Sequence, residues 1–183
     1  MAADSVVGKD CHLMHGSIVG PRVRLGRGCV LKENAVVGDL GFGFGLMAGK
    51  PHARIPQLGG VEVGDHVEVG ACTTIGAGTV NPTCIGSGTK ISNIVHIAHN
   101  CSIGSDVIIA GRASICGSVT IGERCWIAPG ATLRNKIVVG DGATVGLGAV
   151  VVKDVPAGAT VAGVPARIVD KPGPWYESEN GTP

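Results

Sequence analysis

Hydrophobic residues return every sixth position over most of this sequence. Twenty-one such positions hold only Val, Ile or Leu. The hydrophobic period of a β-strand is two and that of an α-helix is 3.6, so neither element by itself keeps a period of six. A parallel β-solenoid keeps it, because each hexad supplies one short strand and one corner. The positions are Val7, Leu13, Val19, Leu25, Leu31, Val37, Val63, Val69, Ile75, Ile85, Ile91, Ile97, Ile103, Ile109, Ile115, Ile121, Ile127, Leu133, Val139, Val145 and Val151.

The second and fifth positions of the hexads are restricted as well. The second position is glycine in 12 of the 21 hexads, for example Gly26 and Gly104. A chain uses glycine where a corner needs a positive φ or a close approach between backbones. The fifth position is small or branched, as at Cys29, Val67 and Ala113. We therefore expect an all-β solenoid with two inward-facing positions in every hexad.

The composition is typical of a thin, repetitive core. Of 183 residues, 31 are glycine and only 3% are aromatic, so aliphatic residues, Thr and Cys must fill the interior. The net charge is +1 and the basic residues are scattered, which argues against nucleic acid or an anionic membrane as a partner. The sequence begins without an apolar signal segment and contains no stretch suited to span a bilayer. We expect a soluble, cytoplasmic protein with small-molecule partners.

The seven cysteines are an odd number and include no Cys-x-x-Cys pair. This spacing argues against a disulfide framework and against a structural zinc site. We expect the cysteines to be free thiols.

The repeat lapses between Val37 and Val63, and segment 41–60 within this gap holds both phenylalanines. An excursion longer than about 12–15 residues is usually functional or disordered. We interpret this one as a substrate-binding loop whose basic side chains meet the phosphates of a cofactor or nucleotide; the alternative is a solvated loop that packs on a neighbouring subunit. The glycine spacing does not fit a dinucleotide-binding fingerprint. The candidate substrate-binding residues of the loop are Phe42, Phe44, Lys50, His52 and Arg54.

A second break lies at residues 81–84, where the sequence Asn-Pro-Thr-Cys precedes Ile85. We expect it to shift the hexad frame by two positions and to form a bulge at a corner. Asn81 is its candidate substrate-binding residue.

The hexads and four short motifs together resemble a known family. The motifs are GFG at 41–43, IPQLG at 55–59, GACTTI at 70–75 and IAHN at 97–100. The hexads resemble the hexapeptide-repeat acyltransferases, and the four motifs look like those of the lipid A N-acyltransferases, which acylate the amine of a UDP-linked glucosamine. The ending at 150–169 is similar instead to CoA-dependent sugar acetyltransferases of the same superfamily. The resemblance implies a left-handed parallel β-helix with three hexads per coil, assembled as a homotrimer.

His99 is the third residue of the hexad that begins at Ile97, where a side chain points outward or along a corner. With three hexads per coil, Gly117 lies beside it on the next coil, at the sheet spacing of about 4.8 Å. Acyl transfer from a thioester to an amine needs a general base and a hydrogen-bond donor for the oxyanion. A histidine beside a backbone N–H that no side chain covers supplies both parts. The alternative is a surface histidine without a special role.

The resemblance implies the same roles: His99 is the base of the AHN motif, and Gly117 supplies the N–H. The amino-sugar acetyltransferases commonly have an acidic residue after this histidine, whereas Asn100 follows it here. An amide can orient an imidazole by a hydrogen bond but cannot stabilise an imidazolium by charge. The lipid A enzymes also have a second active-site histidine, near the segment that reads Arg134, Asn135, Lys136 in this sequence.

Three further basic residues, Arg112, Lys153 and Arg167, are candidates for binding the phosphates of CoA, and solvated surface charge is the competing interpretation. His96 is expected at the surface or at a trimer contact. A zinc site like that of the γ-type carbonic anhydrases is disfavoured, because the spacing of His96 and His99 does not match that family. We expect no metal.

These observations predict one β-helix domain over residues 1–183, with tails at 1–5 and 171–183. The predicted activity is transfer of an acyl group, preferably acetyl, from CoA to the amine of a nucleotide-linked amino sugar, with acetyl-CoA or another acyl-CoA as co-substrate. Three alternatives stay open: a longer or 3-hydroxyacyl donor on CoA or acyl carrier protein, a sugar O-acetyltransferase, and a non-catalytic solenoid scaffold.

Overall fold

A computed structural model describes residues 2, 4–45, 49 and 51–170, and this part of the chain is all-β. It contains no helix that is long and apolar enough to cross a membrane. The predicted loop residue Lys50 and the predicted tail 171–183 lie outside the described residues.

The described strands are two to four residues long, as the hexads predict. In chain order they are β1 (Val6–Val7), β2 (His12–Leu13), β3 (Ile18–Val19), β4 (Val23–Leu25), β5 (Val30–Leu31), β6 (Val36–Asp39), β7 (Phe44–Gly45), β8 (Ala53–Arg54), β9 (Val61–Val63), β10 (Glu68–Val69), β11 (Thr74–Gly76), β12 (Thr83–Ile85), β13 (Lys90–Ile91), β14 (His96–Ile97), β15 (Ser102–Ile103), β16 (Ile108–Ile109), β17 (Ser114–Ile115), β18 (Thr120–Ile121), β19 (Trp126–Ile127), β20 (Thr132–Leu133), β21 (Val138–Val139), β22 (Thr144–Val145), β23 (Val150–Val151), β24 (Thr160–Ala162) and β25 (Arg167–Ile168).

Three sheets form the faces of a solenoid. Sheet 1 has the order β1-β4-β9-β12-β15-β18-β21, sheet 2 the order β2-β5-β10-β13-β16-β19-β22-β24-β25, and sheet 3 the order β3-β6-β11-β14-β17-β20-β23. Consecutive strands pass from sheet 1 to sheet 2 to sheet 3, so three hexads make one coil and the predicted parallel β-solenoid is confirmed. Neighbouring strands are parallel except at β24 and β25, which pair antiparallel at the C-terminal end. Strands β7 and β8 form a separate antiparallel hairpin.

The pairing register gives most coils 18 residues. His96 pairs with Ser114, and Ser114 pairs with Thr132. Two coils are longer: Val23 of β4 pairs with Val61 of β9, which adds 20 residues, and Glu68 of β10 pairs with Lys90 of β13, which adds four.

Four added residues shift a frame of six by two positions, so the frame shift predicted near residues 81–84 is confirmed. The insertion has four residues, and they fit because Gly78 leaves the coil and forms an antiparallel bridge with Gly60 at the end of the long loop. Pairing with the loop accommodates the added length, and the register between β11 and β6 also shifts between Ile75 and Gly76, where this corner begins.

The first and fifth positions of the hexads build the core, as predicted. The first-position side chains of Ile97, Ile115 and Leu133 stack on consecutive coils and are fully buried. Several fifth-position side chains also bond to the next coil: Cys101 Sγ lies 3.2 Å from the carbonyl oxygen of Cys116, and Thr89 Oγ1 donates to a carbonyl in the same way. The fifth position thus fills space and ties consecutive coils together.

The second-position glycines are required by close approach between coils, and a positive φ is not the general reason. A Cβ on Gly104 would lie 2.7 Å from the carbonyl carbon of Gly122, and a Cβ on Gly86 would lie 2.4 Å from that of Gly104. The corners place their positive φ at the fourth position instead, for example 61° at both Asn100 and Ser118. Glycine suits either demand, so the sequence pattern does not separate the two causes.

Both insertions enter at one edge of the solenoid, formed by the corners that lead from sheet 3 back to sheet 1. We call it the loop edge; its described residues are 20–22, 38–45, 49, 51–60, 76–82, 98–101, 116–119, 134–137 and 152–154. The corners of the other two edges consist of uninterrupted hexads from β1 to β23. The irregular parts of the sequence are thus concentrated along one line of the molecule.

Burial raises the pKa of the Cys101 thiol from its ordinary value of about 9 to about 11. The folded chain holds this proton more tightly than the unfolded chain does, so stability is fully present below pH 9 and is lost as the pH rises toward 11. We expect the free energy of unfolding to fall by about 2 kcal/mol at pH ~10.5 through this group alone. Cys101→Ala should remove that part of the decline in denaturant unfolding measured against pH.

The control for this experiment is Cys72→Ala, which removes an exposed thiol and should keep the wild-type decline. An unchanged pH dependence in Cys101→Ala would contradict the assignment.

Candidate active site

The third positions of the hexads stack along the loop edge in the order His99, Gly117, Asn135 and Lys153. The register that pairs His96 with Ser114 confirms that Gly117 follows His99 on the next coil. Consecutive members of the stack are separated by the sheet spacing of about 4.8 Å. The one histidine of this stack therefore has the one glycine as its neighbour.

The His99 ring is half-buried and fills space that two glycines leave open. A Cβ on Gly117 would lie 2.9 Å from Cε1 and 3.0 Å from Nε2 of the ring. On the other side, a Cβ on Gly41 of the long loop would lie 2.8 Å from Cβ of His99. Gly117 has no positive φ, so the imidazole contact, and not backbone conformation, requires glycine there.

Asn100 orients the His99 ring. Its Oδ1 lies 2.9 Å from Nδ1 of His99. The Asn100 backbone N–H donates to Oγ1 of Thr83 at 2.9 Å, which fixes the residue in its left-handed conformation. Asparagine is one of the few side chains that adopt this conformation at small cost.

The long loop and the four-residue insertion both contact this amide. Thr79 of the insertion places its Oγ1 2.8 Å and its backbone N–H nitrogen 3.3 Å from Oδ1 of Asn100. The same hydroxyl lies 3.2 Å from Oε1 of Gln57, a loop side chain that is only 4% exposed. A hydrogen-bonded group thus extends from the loop to the histidine.

These contacts determine which ring nitrogen of His99 is available as a base. A backbone N–H can only donate, so the Asn100 atom that faces Thr79 is the amide oxygen. That oxygen also faces Nδ1 of His99, so Nδ1 carries the proton. The neutral ring then has its lone pair on Nε2, next to Gly117.

The backbone N–H of Gly117 has no hydrogen-bond acceptor among the described residues. At four other third positions a side chain from the next coil accepts from this N–H; for example, Asp141 Oδ1 accepts from Glu123 at 2.9 Å. The other three are Arg27, Asp65 and Ala71. The equivalent neighbour of Gly117 is Asn135, which is exposed and makes no such bond in the described part of the chain. The Gly117 N–H can therefore donate to a bound molecule.

The loop carries an aromatic and cationic cluster. The rings of Phe42 and Phe44 are 5.1 Å apart at an interplanar angle of 66°, and Phe42 is 87% exposed. The Arg54 guanidinium carbon lies 4.7 Å from the centre of the Phe44 ring, and its Nη1 is 3.4 Å from the Gly41 carbonyl oxygen. Because Gly41 also packs against His99, the cluster is connected directly to the histidine.

The other predicted binding residues are divided between locations. Lys153 lies on the loop edge, three coils beyond His99, and lines a cavity of about 380 Å³ together with Arg167 at the C-terminal end. Arg112 lies at a corner between sheets 2 and 3, whereas His99 lies at a corner between sheets 3 and 1. Within one chain the two side chains are therefore on different edges of the solenoid. His52 and Asn81 are exposed at the loop and at the insertion.

The described residues contain no group of three or more His, Cys, Asp or Glu side chains that could hold a metal ion. All seven cysteines are free. His96 is exposed, and its Nδ1 lies 2.8 Å from Oγ1 of Thr74.

Four residues of the site were not singled out from the sequence: Gly41, Gln57, Thr79 and Thr83, the last of which stands within the break at 81–84. Gly41 and Gln57 stand within the motifs at 41–43 and 55–59, and that is the signal that could have found them. Thr79 lies outside all four motifs, and its position follows only from the path of the insertion.

Known proteins share this architecture. The family described as "Bacterial transferase hexapeptide (six repeats)" matches residues 4–39 and 118–153. The two matched segments lie in regular coils of the structure, at its N-terminal end and toward its C-terminal end. Its coils superpose on the crystal structure of Francisella novicida UDP-N-acetylglucosamine acyltransferase with a TM-score of 0.82 and 25% identity, over 90% of this chain and 59% of that one. The corresponding Arabidopsis acyltransferase gives a TM-score of 0.69 and 23% identity, over 92% and 70% of the two chains. The predicted left-handed parallel β-helix is confirmed.

Two curated relatives are similar to about half of this chain. The UDP-3-O-acylglucosamine N-acyltransferase of Anaeromyxobacter dehalogenans is 42% identical over 103 residues, which are 54% of this chain and 29% of the relative. That of Leptospira biflexa is 44% identical over 96 residues, 52% of this chain and 25% of the relative. The matches thus span less than a third of the length of these relatives. Their names agree with the family that the four motifs resemble.

The contact between Gly117 and the imidazole leads to a structural prediction. In Gly117→Ala the new methyl group must push the His99 ring aside, because it would lie 2.9 Å from Cε1. We expect the Cε1–H resonance of His99 to shift in NMR spectra and the free energy of unfolding to fall by about 1–3 kcal/mol.

Gly111→Ala is the matched control, one hexad earlier at the same position. Its Cβ would lie 3.4 Å from the nearest atom, the Asn93 carbonyl oxygen, and Gly111 has no positive φ. This variant should leave the His99 resonance in place. A wild-type His99 resonance in Gly117→Ala would show that the ring does not fill this space.

Proposed function

We propose that this chain is an acyltransferase that moves an acyl group from a thioester to the amine of a nucleotide-linked amino sugar. The observation that carries the proposal is the pairing of an unprotonated Nε2 of His99 with the adjacent, unbonded N–H of Gly117. The names of the relatives, which act on UDP-linked acylglucosamine, support the acceptor class.

The reaction needs one proton acceptor and one oxyanion donor. As the amine nitrogen attacks the thioester carbonyl carbon, Nε2 of His99 takes a proton from that nitrogen. The carbonyl electron pair moves to oxygen, and the Gly117 N–H donates a hydrogen bond to the resulting oxyanion. When the C=O bond re-forms, the C–S bond breaks and the sulfur leaves with the proton that His99 returns. General-base catalysis contributes roughly 10²–10⁴ in rate and one oxyanion donor roughly 10²–10³.

The loop cluster supports binding of the nucleotide part of the acceptor. Exposed aromatic rings stack on bases, and a guanidinium pairs with phosphate oxygens. Phe42 offers the more exposed ring, while Arg54 is held close to the base by its bond to Gly41. His52 and Asn81 remain candidate contacts of the same acceptor.

The donor is acetyl-CoA in the proposal, as the C-terminal sequence predicts. Lys153 and Arg167, which share one cavity on the loop edge side, would bind its phosphates. The exposed apolar residues beside the site favour a longer acyl chain, carried by CoA or acyl carrier protein, as the second candidate. They are Leu40, Leu58 and Val80, which are 61%, 60% and 79% exposed.

A homotrimer is part of the proposal. Arg112 lies on a different edge from His99, so only a neighbouring subunit could bring it to the same acyl donor. This arrangement places the site in a cleft between subunits, in agreement with the family resemblance. The cytoplasmic location remains a prediction.

The base assignment predicts that His99→Ala lowers kcat/KM about 10²–10⁴-fold with donor and amino-sugar acceptor supplied. His96→Ala is the matched control, because His96 lies in β14 three residues before His99 but is exposed and bonded to Thr74. That variant should keep activity within about twofold. Full activity of a correctly assembled His99→Ala protein would refute the base assignment, whereas absence of turnover in wild type would favour the non-catalytic scaffold.

The donor assignment is tested by isothermal titration with acetyl-CoA. We expect saturable binding in wild type, and affinity about tenfold or more weaker in Arg167→Ala, because a hydrogen bond to a charged phosphate is lost. Lys9→Ala, an exposed lysine in the first coil at the opposite end, should bind like wild type.

A titration without binding of acetyl-CoA would change the donor assignment. Absence of heat with acetyl-CoA, together with turnover of a long-chain acyl group on carrier protein, would replace the CoA donor with the second candidate. Product analysis on amine and hydroxyl acceptors separates N-acylation from O-acylation.

A further inference from the structure

We infer that Thr79 is a positioning residue that keeps the proton of His99 on Nδ1 by holding the amide of Asn100 in one orientation. The inference rests on the proposed role of His99 as a base. It assigns a purpose to the four-residue insertion, which neither the hexad repeat nor the four motifs explain.

The orientation of the Asn100 amide matters because its two ends have opposite hydrogen-bonding character. With the oxygen toward Nδ1, the imidazole must donate from Nδ1 and keeps its lone pair on Nε2. If the amide turned over, its NH2 group would face Nδ1 and the ring would carry its proton on Nε2 instead. The Nε2 atom beside Gly117 would then be unable to accept a proton from an amine.

Two contacts from Thr79 act on that oxygen. The backbone N–H at 3.3 Å selects the oxygen, because two donors cannot face each other. The hydroxyl has one proton and donates it to the nearer of its two acceptor oxygens, Asn100 Oδ1 at 2.8 Å and not Gln57 Oε1 at 3.2 Å, which keeps the amide within reach of the N–H. Loss of the hydroxyl therefore weakens the preference for the amide orientation with oxygen toward Nδ1. The backbone N–H that selects this orientation remains.

Thr79 is itself held in place by the long loop. Its carbonyl oxygen accepts from the Leu58 N–H at 2.8 Å, and the preceding Gly78 accepts from Gly59 at 2.8 Å. The nearly buried Gln57 places Oε1 3.2 Å from the Thr79 hydroxyl. The insertion is thus fixed between the loop and Asn100, which is the arrangement that a positioning residue requires.

The test is the tautomer of His99, read from the two ring nitrogens in ¹⁵N NMR spectra of the full chain. The spectra are recorded without substrate at about pH 8.5, above the ordinary range of histidine ionisation. We expect wild type to carry the proton on Nδ1. Thr79→Val, which removes the hydroxyl at similar volume, should lower the ratio of the Nδ1–H to the Nε2–H form about fivefold, the effect of losing one hydrogen bond.

Two further variants separate the hydroxyl from packing. Thr79→Ser keeps the hydroxyl and should restore the wild-type ratio. Thr74→Val is the matched control: Thr74 bonds to Nδ1 of His96, so this change should alter the His96 signals and leave those of His99 unchanged. If valine at position 79 lowers the melting temperature, Thr79→Ala provides the same loss of hydroxyl with a smaller side chain.

Unchanged His99 signals in Thr79→Val, or equal changes in Thr79→Val and Thr79→Ser, would overturn the inference. In turnover assays Thr79→Val should lower kcat about fivefold with little change in KM. If the ring signals respond as expected but no donor and acceptor are turned over, the positioning role stands and the proposed function fails.

Discussion

Parallel backbone hydrogen bonding between successive coils is the constraint on which the rest of this molecule depends. Each strand is only two to four residues long and would have no stability alone. Stacking pairs each strand in the interior of the three sheets with the coils on either side, so an unbroken aliphatic column such as Ile97, Ile115 and Leu133 is buried along the axis. The requirement for close approach at the corners then selects glycine at the second position wherever two backbones meet.

The same stacking determines where the residues of the candidate active site lie. The neighbour of a corner residue is fixed, because the register determines which residue lies on the next coil. His99 obtains its neighbour Gly117 in this way, while the two insertions at the loop edge supply what the repeat cannot: a cover from Gly41 and an oriented amide through Thr79. The regular coils determine the distance between His99 and Gly117, and the inserted segments determine which ring nitrogen of His99 carries the proton.

This difference between regular coils and insertions determines which features could be predicted from the sequence. The solenoid, its core positions and the adjacency of His99 and Gly117 could be predicted, since all of them follow from counting hexads. The reason for the second-position glycines could not, because steric closeness and positive φ both select glycine. Thr79 and Gln57 could not be predicted because their contacts depend on the path of inserted backbone, which has no period. Arg112 stands apart from Lys153 and Arg167 because the hexad count places it on another edge.

The stack of third positions also fixes distances along the solenoid axis in multiples of one coil. Lys153 lies three coils beyond His99, so the reach from the base to the cationic C-terminal cavity is about 14 Å along the axis. Gain or loss of one whole coil between them would change that reach by about 4.8 Å and leave every corner in register. The length of a donor that joins the two ends can therefore change only in steps of one coil, and intermediate lengths require a new loop.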